Sequence, residues 1–280
     1  MTETIEALVR RVDEDRWLAS RFAEPLARQR LLALYAAYYE IARTSEVVTQ
    51  DTLGAIRLQW WRDALDAVFG DGALPDHPVV LALAETVRGA GVPRAALDAL
   101  IDAREKDLEQ APFQSWADLD AYVDATAGGV IQIAAQLCDP ALELSCDHKA
   151  ALAAAGRAWG YVGLLRAAPF WASRNRTFLP ASLLAHVGLD LADVLSTRRG
   201  HAHVAAERAV LDRGLGALRD CQRMVAILPA SVFPAVSYVS FAADYARAIE
   251  RDGVGTAQRT PLGPLARRLK LLQLTMRGAL

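Results

Sequence analysis

Two pairs of aspartates have the spacing of metal ligands on a helix. Asp98 and Asp102 are four residues apart, as are Asp120 and Asp124. Carboxylates at this spacing project from one face of a helix, and carboxylate oxygens are the protein ligands that Mg²⁺ prefers. Both pairs lie on polar faces of predicted helices, where such acids are usually solvated. We therefore expect neither pair to hold a metal.

Histidine and cysteine offer no better metal site. His201 and His203 stand two residues apart with too few partners in the sequence, and a histidine pair in a loop is usually solvated. The three cysteines, Cys138, Cys146 and Cys221, lack a CxxC spacing and cannot all pair with one another. The sequence predicts no metal site and no disulfide framework, which fits a reducing compartment.

Arginine could supply anion binding without a metal. The candidates for a phosphate-binding set are Arg57, Arg62, Arg166, Arg174 and Arg176. A guanidinium group suits bidentate contact with phosphate oxygens. Because the chain has 28 arginines, coincidence also explains such a set, and both interpretations stay open.

The overall composition excludes several classes of protein. Of the 280 residues, 53% are hydrophobic and 23% are charged, which is too apolar for a disordered chain. The formal net charge is −2, so the sequence lacks the basic excess that nucleic-acid binding normally needs. The N-terminal region lacks the basic start and apolar core of a signal peptide, and we expect a cytoplasmic protein.

The elements that must position these residues are predicted to be helices throughout, since no run shows the alternation of a strand. The predicted helices cover residues 25–47, 51–69, 78–88, 93–109, 115–137, 146–171, 203–228, 233–251 and 262–278. Ser115 and Asp118 form a capping-box pattern at the start of one of them. No linker or repeat divides the chain, so we expect one domain over residues 1–280, an all-α bundle of about ten helices that encloses a pocket.

Two segments raise the question of membrane contact. Residues 224–243 are uncharged over the length of a spanning helix, but Pro229 and Pro234 favour the end of one helix, a turn and the start of a buried helix. Residues 262–278 form a basic amphipathic helix. This helix either closes the fold or lies on an anionic membrane surface.

Three ordered segments resemble the squalene/phytoene synthase family, the head-to-head prenyl transferases. They are residues 33–36 after a lead-in at Phe22 and Pro25, residues 53–65 followed by His77 and Pro78, and residues 156–166 followed by Arg176, Leu179 and Gly188. Asp107, Glu109 and Tyr122 also stand where that family has comparable residues. The resemblance covers roughly residues 10–250, and its ordered segments are more specific than any single motif. It implies the all-α terpenoid synthase fold with a central apolar cavity.

The same resemblance implies where the metal ligands of an active member should lie. Active members carry two aspartate-rich motifs whose carboxylates hold Mg²⁺ against a substrate diphosphate and help it leave as pyrophosphate. The first motif falls at residues 42–46, where Glu46 is the one acid. The second falls at Ala167 and Trp171, neither of which is an acid, with Pro169 between them. We infer the loss of Mg²⁺-dependent diphosphate chemistry, and we expect Pro169 to bend the helix.

Residues 40–46 and 56–62 resemble the branch of the family that includes the assembly factors of respiratory complex I. Members of that branch resemble the synthases in fold and lack their aspartate motifs. The resemblance implies a non-catalytic role in the biogenesis of a membrane respiratory enzyme, through a bound lipid or a partner subunit. Glu40, Arg43 and Glu46 then form either a surface salt-bridge ladder or an altered pocket mouth in which Arg43 meets an anion.

The candidate pocket residues come from all of these segments. They are Tyr35, Tyr39, Arg43, Glu46, Arg57, Trp61, Tyr122, Gly128, Arg166, Ala167, Trp171 and Arg176. The aromatic ones are first of all core residues, and the adjacent Trp60 and Trp61 point about 100° apart on a helix, so at most one of the two faces the core. Gly128 and Gly129 within an apolar helix indicate a close approach or a bend at a cavity.

The leading hypothesis is a non-catalytic, synthase-like protein that assists the assembly of a membrane respiratory complex of the complex I type. It needs no cofactor and lies in the cytoplasm or on the inner face of the membrane. The alternative is an active prenyl transferase that makes squalene or phytoene and needs Mg²⁺. A third hypothesis is a lipid or isoprenoid carrier. No catalytic residue is assigned, and the roles of Glu46, Asp107 and Glu109 stay open.

Overall fold

The structure, a computed structural model, describes residues 3–47, 51–196, 200–254 and 260–277. These residues contain no β-strand, so the all-α prediction is confirmed. The α-helices are α1 (Ile5–Val12), α2 (Glu14–Ser20), α3 (Pro25–Ala42), α4 (Thr44–Val47), α5 (Asp51–Phe69), α6 (Pro78–Ala90), α7 (Arg94–Glu105), α8 (Trp116–Val123), α9 (Gly129–Cys138), α10 (Cys146–Ser173), α11 (Ala181–Val187), α12 (Leu191–Leu195), α13 (His201–Met224), α14 (Phe233–Val236), α15 (Ala242–Asp252) and α16 (Pro264–Arg277). Short 3-10 helices cover Lys106–Leu108, Val225–Ile227, Ala230–Val232 and Ser237–Phe241, and a π-helical turn covers Asp124–Gly128.

Helix α10 lies at the centre of the bundle. It packs against α9, α13, α15 and the π-helical turn, while α3 packs against α6 and α9. Its buried residues lie on most of its circumference, as the sequence predicts for a central helix. The largest fully buried side chains in the molecule include Trp61, Tyr35, Tyr161, Tyr238 and Tyr245. A single apolar core connects these helices.

Several helix starts lie where local chemistry predicts them. The Ser115 hydroxyl accepts a hydrogen bond from the backbone N–H of Asp118 at 3.2 Å, and the Asp118 carboxylate accepts from the backbone N–H of Ser115 at 2.9 Å. This reciprocal pair confirms the capping box at the start of α8. Pro25 and Pro78 are the first residues of α3 and α6, the position where a missing N–H costs nothing.

The prediction of one continuous helix over residues 25–47 is wrong. Helix α3 ends at Ala42, the chain turns at Arg43, and α4 begins at Thr44. The predicted helix over residues 115–137 is likewise interrupted by the π-helical turn between α8 and α9. The described residues therefore contain more helical segments than the ten predicted.

The short helices α1, α2, α11 and α12 are missing from the prediction, because helices of five to eight residues carry too little periodicity to detect. His201 and His203 lie in the first turn of α13 rather than in a loop. The His203 Nδ1 accepts a hydrogen bond from the backbone N–H of Gly200 at 3.2 Å, and its Nε2 lies 3.0 Å from the backbone oxygen of Asp193. His203 is thus a helix-capping residue.

The uncharged stretch 224–243 is a series of short buried helical segments, as the two prolines predict. Tyr238 and Val239 within it are fully buried. Among the helices of the described ranges, none has both the length and the apolar composition needed to cross a bilayer.

Helix α16 closes the fold through one of its faces. Arg267 is 3% exposed, and its guanidinium donates to the carboxylates of Asp15 at 2.9 Å and Glu14 at 2.5 Å. The Lys270 ammonium donates to the Asp244 carboxylate at 2.5 Å, and Leu271 is fully buried. The C-terminal helix is therefore fixed to α2 and α15.

Candidate functional site

A cleft of about 220 Å³ opens between α3–α4, the end of α7, α8 with the π-helical turn, and α10. Its lining is mostly aromatic and aliphatic, and the aromatic members are Tyr38, Tyr122, Trp159, Phe170 and Trp171. The polar members are Ser45, Glu46, Arg104, Asp107 and Thr126. Such a concave lining, in which aromatic and aliphatic side chains surround a set of polar groups, is compatible with a small-molecule site.

Glycines allow α10 to approach the π-helical turn and form one wall of this cleft. A Cβ atom on Gly156 would lie 2.5 Å from the Cα of Gly128, and a Cβ on Gly160 would lie 2.6 Å from a methyl of Val123. Neither distance is sterically possible, so the two backbones pack closely because side chains are absent. Of the two alternatives that the sequence offered for Gly128, a close approach or a bend, the structure shows a close approach to Gly156 of α10.

The two positions of the expected metal motifs face the same cleft. Ala42, Ser45 and Glu46 line it from α3 and α4, and Ala167 and Trp171 line it from α10. Helix α10 continues through Pro169 as far as Ser173. Within the described ranges, His, Cys, Asp and Glu side chains form no group of three or more that could hold a metal ion. The residues present at these positions therefore do not fit a Mg²⁺ site.

Asp107 is, with Glu46, one of two acids that line the cleft, and its carboxylate is already bonded on both oxygens. The Tyr122 hydroxyl donates to one oxygen at 2.7 Å, and the Arg104 guanidinium donates to the other at 2.9 Å. Arg104 also donates to the hydroxyls of Tyr122 at 2.7 Å and Tyr38 at 2.6 Å. These four side chains form one connected, largely buried network in the lining of the cleft.

The ionisation of this network follows from its burial. Burial raises the pKa of Tyr122 well above its ordinary value, so its hydroxyl stays protonated and donates to Asp107. Burial alone lowers the pKa of Arg104, but Tyr122, Tyr38 and Asp107 outweigh it and the net shift is upward. Arg104 therefore remains a cation that neutralises Asp107, and a buried ion pair of this kind leaves Asp107 with little capacity for a metal.

A second, smaller cavity of about 20 Å³ adjoins the cleft. Asp107, Tyr122, Leu164 and Trp171 line both spaces, so these side chains stand between them. Glu109 and Arg176 line only the smaller cavity, and Glu109 forms a surface ion pair with Lys106 at 2.5 Å. The indole of Trp171 is the largest of these four shared groups.

The arginines proposed as a phosphate-binding set have separate partners. Arg57 pairs with Glu40 at 3.2 Å, and Arg62 pairs with Asp102 at 2.7 Å. The remaining three have different contacts: Arg166 stacks on the Tyr245 ring at 3.7 Å, Arg174 donates to the backbone oxygens of Ser45 and Glu46, and Arg176 donates to the carboxylate of Asp51 at 2.7 Å and to the backbone oxygens of Asp107 and Leu108. These contacts tie the arginines to different parts of the fold.

Comparison with known proteins identifies the family. A sequence model described as squalene/phytoene synthase matches residues 9–273. The chain belongs to the squalene/phytoene synthase family. A Mus musculus protein named NADH dehydrogenase (ubiquinone) complex I, assembly factor 6, is 28% identical over 249 residues, which cover 87% of this chain and 72% of that protein.

Solved structures of squalene/phytoene synthase type have the same fold. A dehydrosqualene synthase in complex with a ligand has a TM-score of 0.77 and 16% identity, covering 98% of this chain and 94% of that one. The squalene synthase HpnC from Alicyclobacillus acidocaldarius has a TM-score of 0.76 and 19% identity, covering 89% of this chain and 92% of that one. These likenesses confirm the expected terpenoid synthase fold.

Within this squalene/phytoene synthase fold, some candidate residues line the cleft or the smaller cavity and the others lie elsewhere in the fold. Glu46, Tyr122, Ala167 and Trp171 line the cleft, and Arg176 lines the smaller cavity. The others are not among the lining residues of either space: Tyr35, Tyr39, Arg43, Arg57, Trp61, Gly128 and Arg166.

The candidates outside the cleft have structural contacts instead. Tyr35 is 2% exposed and packs against the Arg16 guanidinium at 5.5 Å. Trp61 is 1% exposed while its neighbour Trp60 is 38% exposed, which agrees with the predicted divergence of their directions. The Arg43 guanidinium stacks on the Tyr39 ring, 5.2 Å from its centroid, and pairs with the Glu40 carboxylate at 3.3 Å. The predicted salt-bridge ladder of Glu40, Arg43 and Glu46 therefore stops at Arg43.

The four aspartates with metal-like spacing each pair with an arginine. Asp98 pairs with Arg94 at 3.2 Å, Asp102 with Arg62, Asp120 with Arg213 at 2.6 Å, and Asp124 with Arg157 at 2.6 Å. Each of these four carboxylates is thus paired with a guanidinium group.

Sequence reasoning missed Arg104, Trp159 and Phe170 as cleft residues. Arg104 closely precedes Glu105 and Asp107 on a polar helix end, where the sequence gives no sign that it is buried. Trp159 and Phe170 lie on the same helix as Ala167 and Trp171, and their spacing along α10 could have indicated a shared face.

Proposed function

We propose that this member of the squalene/phytoene synthase family is not a prenyl transferase and acts in the assembly of a membrane respiratory complex of the NADH dehydrogenase type. The main support is the kind of residue that the two cleft walls carry at the positions of the expected metal motifs. Ala42 and Ser45 face Ala167 and Trp171, and Glu46 is the single acid at the positions where the family resemblance places metal-binding carboxylates. Mg²⁺ held by one exposed carboxylate would have too few hard ligands to activate a diphosphate.

The proposed role in assembly is supported by the name of the mouse relative. The mouse protein carries the name of a complex I assembly factor, and its match to this chain extends over most of both sequences. Low identity to the synthases with solved structures supports the fold alone and gives no activity. An assembly role therefore rests on the relative's name together with the missing carboxylates.

The cleft is proposed to hold one apolar chain of a lipid or isoprenoid. Its volume of about 220 Å³ is below the ~300–1,000 Å³ of typical small-molecule pockets, which favours one chain over two prenyl diphosphates. The aromatic lining suits an apolar chain, and no cofactor is part of this proposal. The protein would act at the inner face of the membrane, where such a ligand and a respiratory complex are both found.

Deletion of the gene in the source organism tests the assembly role. We expect lower NADH:quinone oxidoreductase activity in isolated membranes and less of the assembled complex on native gels. Re-expression of the protein should restore both. Unchanged activity with an unchanged amount of complex would contradict the proposal.

An enzyme assay separates the proposal from its alternative. Purified protein is incubated with Mg²⁺ and either farnesyl or geranylgeranyl diphosphate, and pyrophosphate release is measured. We expect no turnover with either substrate. Mg²⁺-dependent formation of squalene or phytoene would establish the prenyl transferase instead.

A further inference from the structure

The outer face of α16 carries an exposed apolar stripe. Leu265, Leu269, Leu272 and Met276 are 70%, 49%, 48% and 72% exposed. Their spacing of four, three and four residues places them on one face of the helix. At 1.5 Å per residue the stripe is about 17 Å long. A continuous row of large apolar side chains in water usually marks an interaction surface.

The inward contacts of α16 fix the direction of this stripe. Arg267 and Leu271 are buried on the opposite side of the helix, and Arg267 and Lys270 form ion pairs with α2 and α15. Rotation of α16 to bury the stripe would remove Arg267 from two carboxylates in a buried site, which is strongly unfavourable. The stripe therefore stays on the outside of the folded protein.

The charge on α16 is of one sign. The helix has four basic residues, Arg267, Arg268, Lys270 and Arg277, and no acidic residue. Arg267 and Lys270 are used by the inward ion pairs, whereas Arg268 and Arg277 are exposed and have no carboxylate partner within the described residues. Arg268 lies one helical turn from both Leu265 and Leu272, beside the stripe.

We infer that α16 docks this protein on an anionic membrane surface, with the stripe among the acyl chains and Arg268 and Arg277 at the lipid phosphates. An amphipathic helix with basic residues beside an apolar face binds such a surface. This inference deepens the proposed role at the membrane, since it names the surface that makes the contact and the charge of the lipid.

Two other occupants fit the stripe less well. A second copy docked stripe to stripe would bring two basic helices together without an acid on either one, and like charges oppose such an interface. A protein partner usually meets aromatic anchors, whereas the stripe consists of leucine and methionine. A lipid surface needs neither acids in fixed positions nor a matching shape.

Flotation with lipid vesicles tests the inference on the full-length protein. The vesicles contain either phosphatidylcholine alone or phosphatidylcholine with phosphatidylglycerol. We expect binding to the anionic vesicles only, and weaker binding at high salt. The Arg268→Gln/Arg277→Gln variant should bind about 25-fold more weakly at low salt, since each arginine near the surface contributes roughly fivefold.

The contribution of the apolar stripe to vesicle binding is tested with the variant Leu269→Ser/Leu272→Ser. This variant should bind the anionic vesicles at least about tenfold more weakly. Val204→Ser on α13 is the matched control, because Val204 is 60% exposed and lies away from the stripe. Circular dichroism should show the same helical content in all variants, since none of the changed residues is buried.

Three results would overturn the inference. They are absence of wild-type binding to anionic vesicles, equal binding by the Leu269→Ser/Leu272→Ser variant, and a dimer in light scattering that the same variant converts to a monomer without changing vesicle binding. Vesicle binding requires no respiratory complex. Its failure is therefore distinguishable from failure of the assembly role, which the gene deletion measures separately.

Discussion

The hydroxyl of Tyr122 donates to the carboxylate of Asp107 across 2.7 Å at the base of the cleft. Arg104 bonds both groups, so the Asp107 carboxylate is neutralised within the protein. This arrangement turns a position that could have supplied a metal ligand into part of the scaffold, and it makes the stability of the fold depend on that carboxylate.

Asp107→Asn should therefore destabilise the protein by about 3–5 kcal/mol, because it leaves the buried Arg104 cation without its counterion. Urea unfolding at pH 7 measures the change. Asp102→Asn is the matched control, since Asp102 pairs with Arg62 on the surface with its side chain 62% exposed, and a change below about 1 kcal/mol is expected. Equal effects of the two variants would contradict the structural role of Asp107.

Mg²⁺ should leave the melting temperature of the wild-type protein unchanged. The triple variant Ala42→Asp, Ala167→Asp and Trp171→Asp places carboxylates on both walls of the cleft, one on the wall of Glu46 and two on the α10 wall. Mg²⁺ at 100 times its Kd should stabilise this variant by about 2.7 kcal/mol. The same three positions changed to Asn provide the control for polarity, and a Mg²⁺-dependent rise in the wild-type melting temperature would show that the metal site survives.

Trp171→Ala should join the cleft to the smaller cavity, because the indole lines both. A long apolar probe such as cis-parinaric acid should then bind with a lower Kd, by roughly fourfold for each further methylene that becomes buried. Fluorescence titration gives the Kd. Trp60→Ala removes an indole that does not line either space and should leave the Kd unchanged.

Gly156→Ala should destabilise the protein by about 2 kcal/mol or more, since the new Cβ would meet the backbone of Gly128 at 2.5 Å. Gly163→Ala on the same helix meets no atom within 4 Å and should be neutral or stabilise the protein by up to about 1 kcal/mol. Thermal and urea unfolding of both variants test this contrast. Similar effects at the two positions would mean that α10 does not approach the π-helical turn so closely.

The Asp120–Arg213 pair should contribute to stability at neutral pH and less in acid. Burial raises the pKa of Asp120, but hydrogen bonds from Arg213 and Tyr161 outweigh it and the net pKa is lowered. A carboxylate with a lowered folded-state pKa stabilises the fold above the ordinary aspartate pKa and loses that contribution as the pH falls through the lowered value. Asp120→Asn should thus be less stable than wild type at pH 7, and urea unfolding should show the difference shrinking toward pH 3. A constant difference would exclude Asp120 as the source.

The sequence by itself determined the helical class, several helix starts and the family resemblance. These depend on local or ordered patterns: the Ser115–Asp118 capping box is a contact within one turn, and the divergence of Trp60 and Trp61 follows from helical geometry alone. The sequence likewise shows that positions 167 and 171 carry Ala167 and Trp171 rather than acids, and matching the chain to the family motif is enough to find this.

Only the tertiary structure decided what the charged residues contact. Arg104 meets Tyr38, which is 66 residues away in the chain, and Arg267 meets Asp15 across 252 residues. Such contacts depend on how helices pack, and the short-range periodicity of a sequence does not contain that information. For the same reason, the sequence showed that α16 is basic and amphipathic, but only packing against α2 and α15 decided which of its faces stays in water.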